Sequence, residues 1–272
     1  MMRNGEYGLI GEKLGHSWSP RIHQAFGGYE YSLIELKSDQ LEPFFRERRF
    51  IGINVTIPYK QAVIPYLDSL SARAGAIGSV NTVVRRESGA LIGYNTDFGG
   101  FMAMLQRAHI SPAGKKCLVL GSGGASRTVV ACLRELGAGE IRVISRKGED
   151  HYGNLSRHAD ARILINTTPV GMFPNVGVSP VDLGLFRELE GVADLIYNPV
   201  KTALLQQAGD MGIPNANGLY MLVTQAKLAC ELFLDRAIPD SETERVMALM
   251  EKTIRETNTA TNENPEKGQK SE

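Results

Sequence analysis

Short apolar runs alternate with stretches of helical periodicity along the first hundred residues of the chain. The runs are rich in β-branched and aromatic residues, which is typical of strands, and they predict strands at residues 7–11, 31–36, 50–56, 80–84 and 91–94. Apolar positions at helical spacing predict helices from residue 19, over 41–48 and over 60–70. A turn at residues 87–90 separates the last two strands.

A second unit begins near residue 115, where the pattern becomes a βαβ rhythm. Buried-type apolar runs predict strands at residues 116–121, 141–144, 161–166 and 192–197. A glycine loop after the first of these leads into a helix that ends before Gly137. Such a rhythm is typical of α/β proteins, in which helices cover a parallel sheet.

Three further helices are predicted outside these strands. A helix over residues 101–108 links the two units, and helices over 220–237 and 242–257 follow the second unit. Residues 258–272 contain almost no apolar side chains, so we expect a disordered tail there.

Composition narrows the possible partners. The 272 residues carry 30 Lys and Arg against 30 Asp and Glu, which gives no support for nucleic acid or a membrane surface as a partner. The first residues form no apolar signal segment, and no run is long enough to span a membrane. Three widely spaced cysteines suggest reduced thiols in a cytoplasmic protein, and no residues have metal-ligand spacing.

The glycine loop predicts a dinucleotide site. In LVLGSGGAS at 118–126, Gly121 permits a tight turn, and Gly123 lets a pyrophosphate approach the N–H groups at a helix start. Ser126 stands where the third glycine of the usual pattern would be. A simple cluster of turn glycines is the alternative, but the strand before and the helix after favour the dinucleotide interpretation.

The next strand-to-loop junction favours NADP over NAD. An NAD site usually has an acid there for the ribose 2′-hydroxyl. Here the strand is followed by Ser145, Arg146 and Lys147, and the first acid is Glu149. The serine and the two cations could hold a 2′-phosphate by charge-assisted hydrogen bonds, although a solvated basic turn is the alternative.

Lys60 is the first candidate for proton transfer. It follows a strand and Pro58, which suits the first turn of a helix, so Lys60 is predicted in that opening turn. The helix macrodipole there would disfavour an ammonium, which suits proton transfer near neutral pH. Asp97 could orient this ammonium; a solvated lysine is the alternative.

Other polar residues lie at similar junctions. Ser17 and Ser19 precede a helix and could donate hydrogen bonds to a ligand carboxylate, although Ser19 before Pro20 could equally be an N-cap. Asp97 could likewise be an N-cap, and Asn81 an edge or turn asparagine. Ligands of open α/β sheets gather at such junctions, which favours a shared site.

Eight motifs in order resemble the shikimate dehydrogenase family and cover most of the chain to about residue 235. They are HSWSP at 16–20, NVTIPYK at 54–60, GSVNTV at 78–83, NTDFG at 95–99, GSGGASR at 121–127, NTTPVGM at 166–172, DLIYNP at 194–199 and GLYMLVTQ at 218–225.

The resemblance implies a role for each matching residue. It makes Lys60 the general acid/base with Asp97 as its partner. The substrate residues it implies are Ser17, Ser19, Thr56, Asn81, Tyr197 and Gln225. The cofactor residues it implies are Gly121, Ser122, Gly123, Gly124, Ala125, Ser126, Ser145, Arg146, Lys147, Leu195, Gly218 and Met221.

The resemblance also implies a fold of two domains. Residues 1–100 would form an α/β catalytic, substrate-binding domain that C-terminal helices over 219–257 complete. Residues 101–218 would form a doubly wound, Rossmann-type NADP-binding domain, and 258–272 the disordered tail. The expected protein is a monomer or a homodimer.

The implied reaction is the reversible NADPH-dependent reduction of 3-dehydroshikimate to shikimate, on the path to chorismate and the aromatic amino acids. The family often has Asn-Arg-Thr where this chain has Ser145, Arg146 and Lys147, and Asp150 stands near the place of a second arginine. An NAD-linked quinate/shikimate or aminoshikimate dehydrogenase is therefore an alternative. A non-catalytic dinucleotide-binding regulatory protein is a further one.

Overall fold

Two β-sheets organise the structure, a computed structural model that describes residues 6–15 and 17–263. The first sheet is mixed and its strand order is β2-β1-β3-β5-β6-β4. Its strands are β1 Glu6–Gly11, β2 Tyr31–Glu35, β3 Phe50–Val55, β4 Ser69–Leu70, β5 Thr82–Arg85 and β6 Leu91–Tyr94. Strand β3 is buried at every position because it lies inside the sheet, with parallel β1 on one side and antiparallel β5 on the other.

Helices α1 Ser19–Gly27, α2 Leu41–Glu47 and α3 Ala72–Ile77 connect the strands of this sheet. Neither α3 nor the two-residue strand β4 was predicted, because both are too short to show a period.

The second sheet is parallel throughout and its strand order is β11-β10-β9-β7-β8. Its strands are β7 Lys116–Leu120, β8 Glu140–Ile144, β9 Ile163–Asn166, β10 Gly191–Asp194 and β11 Asn215–Asn217. Helices α5 Gly124–Glu135 and α6 Ala203–Asp210 belong to this unit. Counted from β7 the order is 2-1-3-4-5, a doubly wound arrangement in which the strand order reverses between β7 and β9. The α/β prediction with a doubly wound sheet is confirmed.

Two long helices connect the two sheets, and a third packs on the second of these and on α1. They are α4 Thr96–Arg107, α7 Leu219–Leu234 and α8 Asp240–Glu263. Helices α4 and α7 approach closely because Gly100 has no side chain: a Cβ there would lie 2.7 Å from the carbonyl oxygen of Met221. Helix α7 also reaches the first sheet, where Phe233 packs in one buried cluster with Val84.

The predicted helix over residues 60–70 is wrong. Residues 57–63 form consecutive turns, and a single 3-10 turn, Ile64–Tyr66, follows them. Tyr59 and Val63 are buried, and these two apolar positions, four residues apart, have the spacing of one helix face. Long-range contacts hold this segment instead: the Lys60 carbonyl accepts from Val80 N at 2.8 Å, and the Tyr59 side-chain hydroxyl donates to the Leu36 carbonyl at 2.6 Å.

The C-terminal end also differs from the prediction. Helix α8 continues to Glu263, whereas the disordered tail was predicted to begin at residue 258. The rest of that predicted tail, residues 264–272, lies outside the described residues. Helix α6 and strand β11 were not predicted either; the helix has eight residues and the strand three.

A glycine-to-alanine pair tests the packing of α7 on the first sheet. A Cβ at Gly52 would lie 2.2 Å from the Phe233 ring, so we expect Gly52→Ala to lower the free energy of unfolding by about 1–3 kcal/mol, the usual cost of overpacking. Urea unfolding followed by circular dichroism measures the change.

Gly75→Ala is the matched control for this test. Gly75 lies inside α3, and a Cβ there would meet nothing within 4 Å, so this substitution should be neutral or stabilise by about 0.5–1 kcal/mol. Equal destabilisation by the two alanines would contradict the packing.

Candidate active site

A cleft of about 600 Å³ lies where the two sheets and α7 meet. Its lining combines polar residues of the first sheet's loops with residues that follow strands of the second sheet. The residues predicted for substrate and catalysis all line it: Ser17, Ser19, Thr56, Lys60, Asn81, Asp97, Tyr197 and Gln225. Four predicted cofactor residues line it as well: Ala125, Leu195, Gly218 and Met221.

Lys60 and Asp97 form an ion pair at the centre of this lining. The distance from Lys60 Nζ to Asp97 Oδ2 is 2.6 Å, and the two side chains are 19% and 13% exposed. The alternative of a solvated lysine is therefore wrong. Because Lys60 lies in a turn, the macrodipole argument does not apply to it; the nearby helix start, of α4, carries Asp97 instead.

Asn95, not Asp97, is the N-cap of α4. Asn95 Oδ1 accepts from Phe98 N at 3.1 Å, which leaves the Asp97 carboxylate for Lys60. A second bond runs from Asn95 Nδ2 to the Ser79 carbonyl at 2.9 Å. The N-cap alternative for Asp97 is thus wrong, and the carboxylate in the first turn of α4 lies where the macrodipole favours an anion.

The two serines face the cleft as a linked pair. Ser17 Oγ donates to Ser19 Oγ at 3.1 Å and accepts from Ser19 N at 3.3 Å. Helix α1 begins at Ser19, and Trp18 is at the N-cap, where its side chain makes no capping hydrogen bond. The N-cap alternative for Ser19 is therefore wrong, and its hydroxyl remains available to a ligand.

A buried amide network fixes the floor of the cleft. Asn81 Oδ1 accepts from Thr96 N at 2.7 Å, and Asn81 Nδ2 donates to Thr96 Oγ1 at 2.9 Å. Asn81 Nδ2 also lies 3.5 Å from Gln225 Oε1, which connects the start of β5 with α4 and α7. Asn81 is thus a buried junction residue rather than an edge or turn asparagine.

Sequence reasoning missed Asn54, which supports this network. Asn54 lies in β3 and is buried, and its Nδ2 donates to the Asn81 carbonyl at 3.1 Å and to Thr82 Oγ1 at 3.0 Å. The Tyr31 hydroxyl donates to Asn54 Oδ1 at 2.8 Å. An amide in an otherwise apolar strand was the available signal. Lys13, exposed at the cleft, was missed too and had no such signal.

Asp194 supports the opposite wall and was also missed as a site residue. It ends β10, is fully buried and accepts hydrogen bonds from Asn166 Nδ2 at 3.0 Å and Thr202 Oγ1 at 2.7 Å. Burial raises the pKa of its carboxyl group. The stretch after it carries Leu195 and Tyr197 into the cleft, and burial raises the pKa of the Tyr197 phenol.

Gly218 allows α7 to start against that wall. A Cβ there would lie 2.0 Å from the Leu195 carbonyl oxygen, and Gly218 N donates to the Ile196 carbonyl at 3.0 Å. Only a residue without a side chain can approach so closely. Met221 and Gln225 follow on α7, so the glycine contact sets their distance from the second sheet.

The glycine loop has the form that a pyrophosphate needs. Gly121 has φ +101°, and Gly123, which has no side chain, occupies the N-cap of α5. The N–H groups of this first turn are therefore not covered by a cap side chain. Ser122, Gly123 and Gly124 are exposed, whereas Ser126 is buried within α5 and is a packing position.

The basic turn lies at the carboxyl end of β8, the same edge of the parallel sheet as the glycine loop. Ser145 Oγ donates to the Lys147 carbonyl at 2.7 Å, which closes the turn. Arg146 and Lys147 are exposed, and across the described residues neither forms an ion pair. None of the three residues lines the cleft that contains Lys60 and Asp97.

Two absences within residues 6–15 and 17–263 bear on possible partners. Within these residues no helix is long and apolar enough to cross a membrane. Within the same residues no cluster of three or more His, Cys, Asp or Glu could hold a metal ion.

The parallel sheet with its glycine loop, next to a cleft with a lysine–aspartate pair, has the form of a two-domain nicotinamide dinucleotide dehydrogenase. Comparisons with known proteins narrow this class. The family model for the shikimate dehydrogenase substrate binding domain matches residues 9–83. A shikimate dehydrogenase (NADP(+)) of Clostridium perfringens is 38% identical over 248 residues, which covers 84% of this chain and 91% of that one.

Solved structures of shikimate dehydrogenases have the same fold as this chain. A chorismate mutase/shikimate 5-dehydrogenase fusion protein from Clostridium acetobutylicum superposes with a TM-score of 0.87 at 37% identity, over 94% of this chain and 100% of that one. The shikimate 5-dehydrogenase from Thermus thermophilus, in complex with NADP(H) and shikimate, gives 0.77 at 33% identity, over 90% and 98%. The chain belongs to the shikimate dehydrogenase family.

The capping assignment at α4 makes a testable distinction. Asn95→Ala should lower the free energy of unfolding by about 1 kcal/mol or more, because it removes the cap and the bond to Ser79. Asn95→Ser, which retains a capping oxygen, should lose less. Chemical denaturation measures both, and an unchanged free energy of unfolding in Asn95→Ala would contradict the assignment.

Proposed function

We propose that the chain catalyses the reversible NADPH-dependent reduction of 3-dehydroshikimate to shikimate, in chorismate and aromatic amino-acid biosynthesis. The observation that carries the proposal is the Lys60–Asp97 pair, 2.6 Å apart in a cleft that both sheets line. Family membership supplies the substrate class, since relatives of the chain are shikimate dehydrogenases that use NADP.

The residues present fit the dinucleotide. The first turn of α5 offers N–H groups to a pyrophosphate, and a Cβ at Gly123 or Gly124 would meet nothing within 4 Å, so the approach is open. Ser145, Arg146 and Lys147 would hold the 2′-phosphate, and Leu195, Gly218 and Met221 would border the nicotinamide. When bound, the nicotinamide supplies the hydride for reduction.

Lys60 moves the proton. In the reductive direction Lys60 Nζ donates a proton to the C3 carbonyl oxygen of the substrate, which gains negative charge as its carbon is reduced. In the oxidative direction the same nitrogen takes the proton back. Asp97 Oδ2 holds the ammonium in place, so that its proton is already aligned when the substrate binds.

The polar lining orients the substrate around this centre. The hydroxyls of Ser17 and Ser19 bind its carboxylate by hydrogen bonds, a neutral contact that the open start of α1 leaves available. Thr56, Asn81, Tyr197 and Gln225 bind its hydroxyl groups. Because Asn81 is buried and makes two hydrogen bonds with Thr96, its position is set before the substrate binds.

The proposal also covers the division into domains, the compartment and the oligomeric state. Residues 1–100 and helices over 219–257 form the catalytic domain, and residues 101–218 form the NADP-binding domain. All three cysteines are buried and unpaired, which suits a reducing compartment, so we place the protein in the cytoplasm as a monomer or homodimer.

A spectrophotometric assay tests the function directly. Shikimate oxidation with NADP should exceed oxidation with NAD, and quinate should be the poorer substrate. Turnover of quinate with NAD at a higher kcat/KM would establish the alternative activity, and no turnover of either acid would contradict the proposal.

Lys60→Ala should lower kcat by about 10²–10⁴, the usual contribution of a general acid/base, and change KM much less. Steady-state kinetics in both directions measure this. Lys37→Ala, at an exposed lysine outside the cleft lining, is the control and should leave kcat intact. Near-normal turnover in Lys60→Ala would remove Lys60 from the chemistry.

Replacing both serines separates binding from capping. The Ser17→Ala/Ser19→Ala double variant should raise the KM for shikimate about 30-fold, since the two hydroxyl bonds together contribute about 2 kcal/mol, while the unfolding midpoint stays near that of the parent. An unchanged KM with a lowered midpoint would show that the serines serve only the start of α1.

A further inference from the structure

The turn after β8 contains an acidic side chain that is held inside the turn. Asp150 Oδ1 lies 2.8 Å from His158 Nε2, and Asp150 Oδ2 lies 3.6 Å from Arg142 Nη1. The side chain is only 14% exposed, and the hydrogen bond with His158 holds the pKa of the Asp150 carboxyl group below its usual range. The carboxylate is thus charged, and it faces Arg142 of β8 and His158 rather than solvent.

The main chain of Asp150 nevertheless lies at the end of β8. Ser145 N donates to the Asp150 carbonyl at 3.2 Å, so Asp150 and the first residue after the strand are neighbours. A second bond, from Asn154 Nδ2 to the Glu149 carbonyl at 2.8 Å, fastens the same stretch to the 3-10 turn Tyr152–His158. The residue is therefore at the strand end, and only its side chain is held away.

The end of the second strand determines which dinucleotide a doubly wound fold prefers. An acid at the end of the second strand bonds the ribose 2′-hydroxyl of NAD, and it would repel a 2′-phosphate. At the end of β8 two cations, Arg146 and Lys147, are exposed. The acid whose backbone is hydrogen-bonded to Ser145 there is Asp150. Whether its carboxylate faces the ribose therefore decides which dinucleotide the turn accepts.

We propose that Asp150 is a specificity-determining residue and that His158, by holding its carboxylate inside the turn, makes the site select a 2′-phosphate over a 2′-hydroxyl. This inference rests on the proposed function only in requiring that the chain bind nicotinamide dinucleotides. Released from His158, the carboxylate would repel the 2′-phosphate of NADPH and accept a hydrogen bond from the 2′-hydroxyl of NADH.

The environment of His158 allows a clean test. The ring is buried, and its Nδ1 has no hydrogen-bond partner within the described part of the chain. Within the described residues, the bond from Nε2 to Asp150 is therefore the one polar contact of the His158 ring. An apolar side chain of similar size would remove that bond without leaving another buried polar group unsatisfied.

The experiment measures the ratio of the Kd for NADH to the Kd for NADPH by nicotinamide fluorescence, with kcat/KM for both dinucleotides beside it. His158→Leu should lower this ratio about tenfold, the scale of one like-charge contact. His158→Gln, which keeps a donor for Asp150, should retain the ratio. The double variant His158→Leu/Asp150→Asn should restore it, because the released side chain is then uncharged.

Asp160→Asn is the matched control. Asp160 pairs with Lys116 at 2.8 Å, the same contact length, but Lys116 begins β7 and so lies at the amino end of the sheet, away from the ribose. This variant should leave the ratio unchanged. Should His158→Leu not fold, as judged by thermal unfolding, His158→Asn replaces it, since its shorter amide does not reach Asp150.

Two results would overturn the proposal. The first is an unchanged ratio in a folded His158→Leu or His158→Asn protein. The second is an equal fall in the ratio with and without Asp150→Asn, which would make the effect structural rather than electrostatic. Failure of the proposed function would look different: the parent would bind NADPH in the fluorescence titration yet turn over no shikimate.

Discussion

The ion pair between Lys60 and Asp97 is the interaction on which the rest of the site depends. Its partners come from different places, a turn after β3 and the first turn of α4, and both side chains are largely withdrawn from solvent. Partly desolvated charges are costly unless they are paired and hydrogen-bonded. The surrounding structure must therefore hold both elements closely enough for a 2.6 Å contact.

Backbone contacts supply that precision. The Lys60 carbonyl accepts from Val80 N, which ties the turn that carries Lys60 to the segment before β5, and Asn95 caps α4, which leaves the Asp97 carboxylate for Lys60. Two glycines then bring α7 to the site: Gly100 lets it pack on α4, and Gly218 lets it begin against Leu195. Through these contacts α7 joins the substrate side of the cleft to the dinucleotide side.

The sequence predicted which residues line this cleft better than it predicted their local structure. Strands such as β3 and β7 are mostly apolar, so their ends could be located, and polar residues near those ends meet in the cleft. Lys60 illustrates the limit. Tyr59 and Val63 have helical spacing, but a long-range bond from Val80 competes for the backbone, and no local pattern reports such a contact.

Capping was misjudged for a similar reason. Ser19 and Asp97 both have good capping side chains, yet α1 begins one residue earlier than a Ser19 cap requires, and Asn95 takes the position at α4. Helix ends are set within one or two residues by tertiary contacts, which the sequence does not display. Asn54 and Asp194 each open one of the eight motifs, but they were missed because they support the site through hydrogen bonds to neighbours, and a motif does not show such bonds.

A double-mutant cycle in kcat tests the central claim most directly, with Lys60→Ala, Asp97→Asn and the combined variant compared under the same conditions. If Asp97 acts by holding the Lys60 ammonium, the combined variant will be about as slow as Lys60→Ala alone. Fully additive losses would contradict the account, because they would mean that the two residues contribute independently to the reaction.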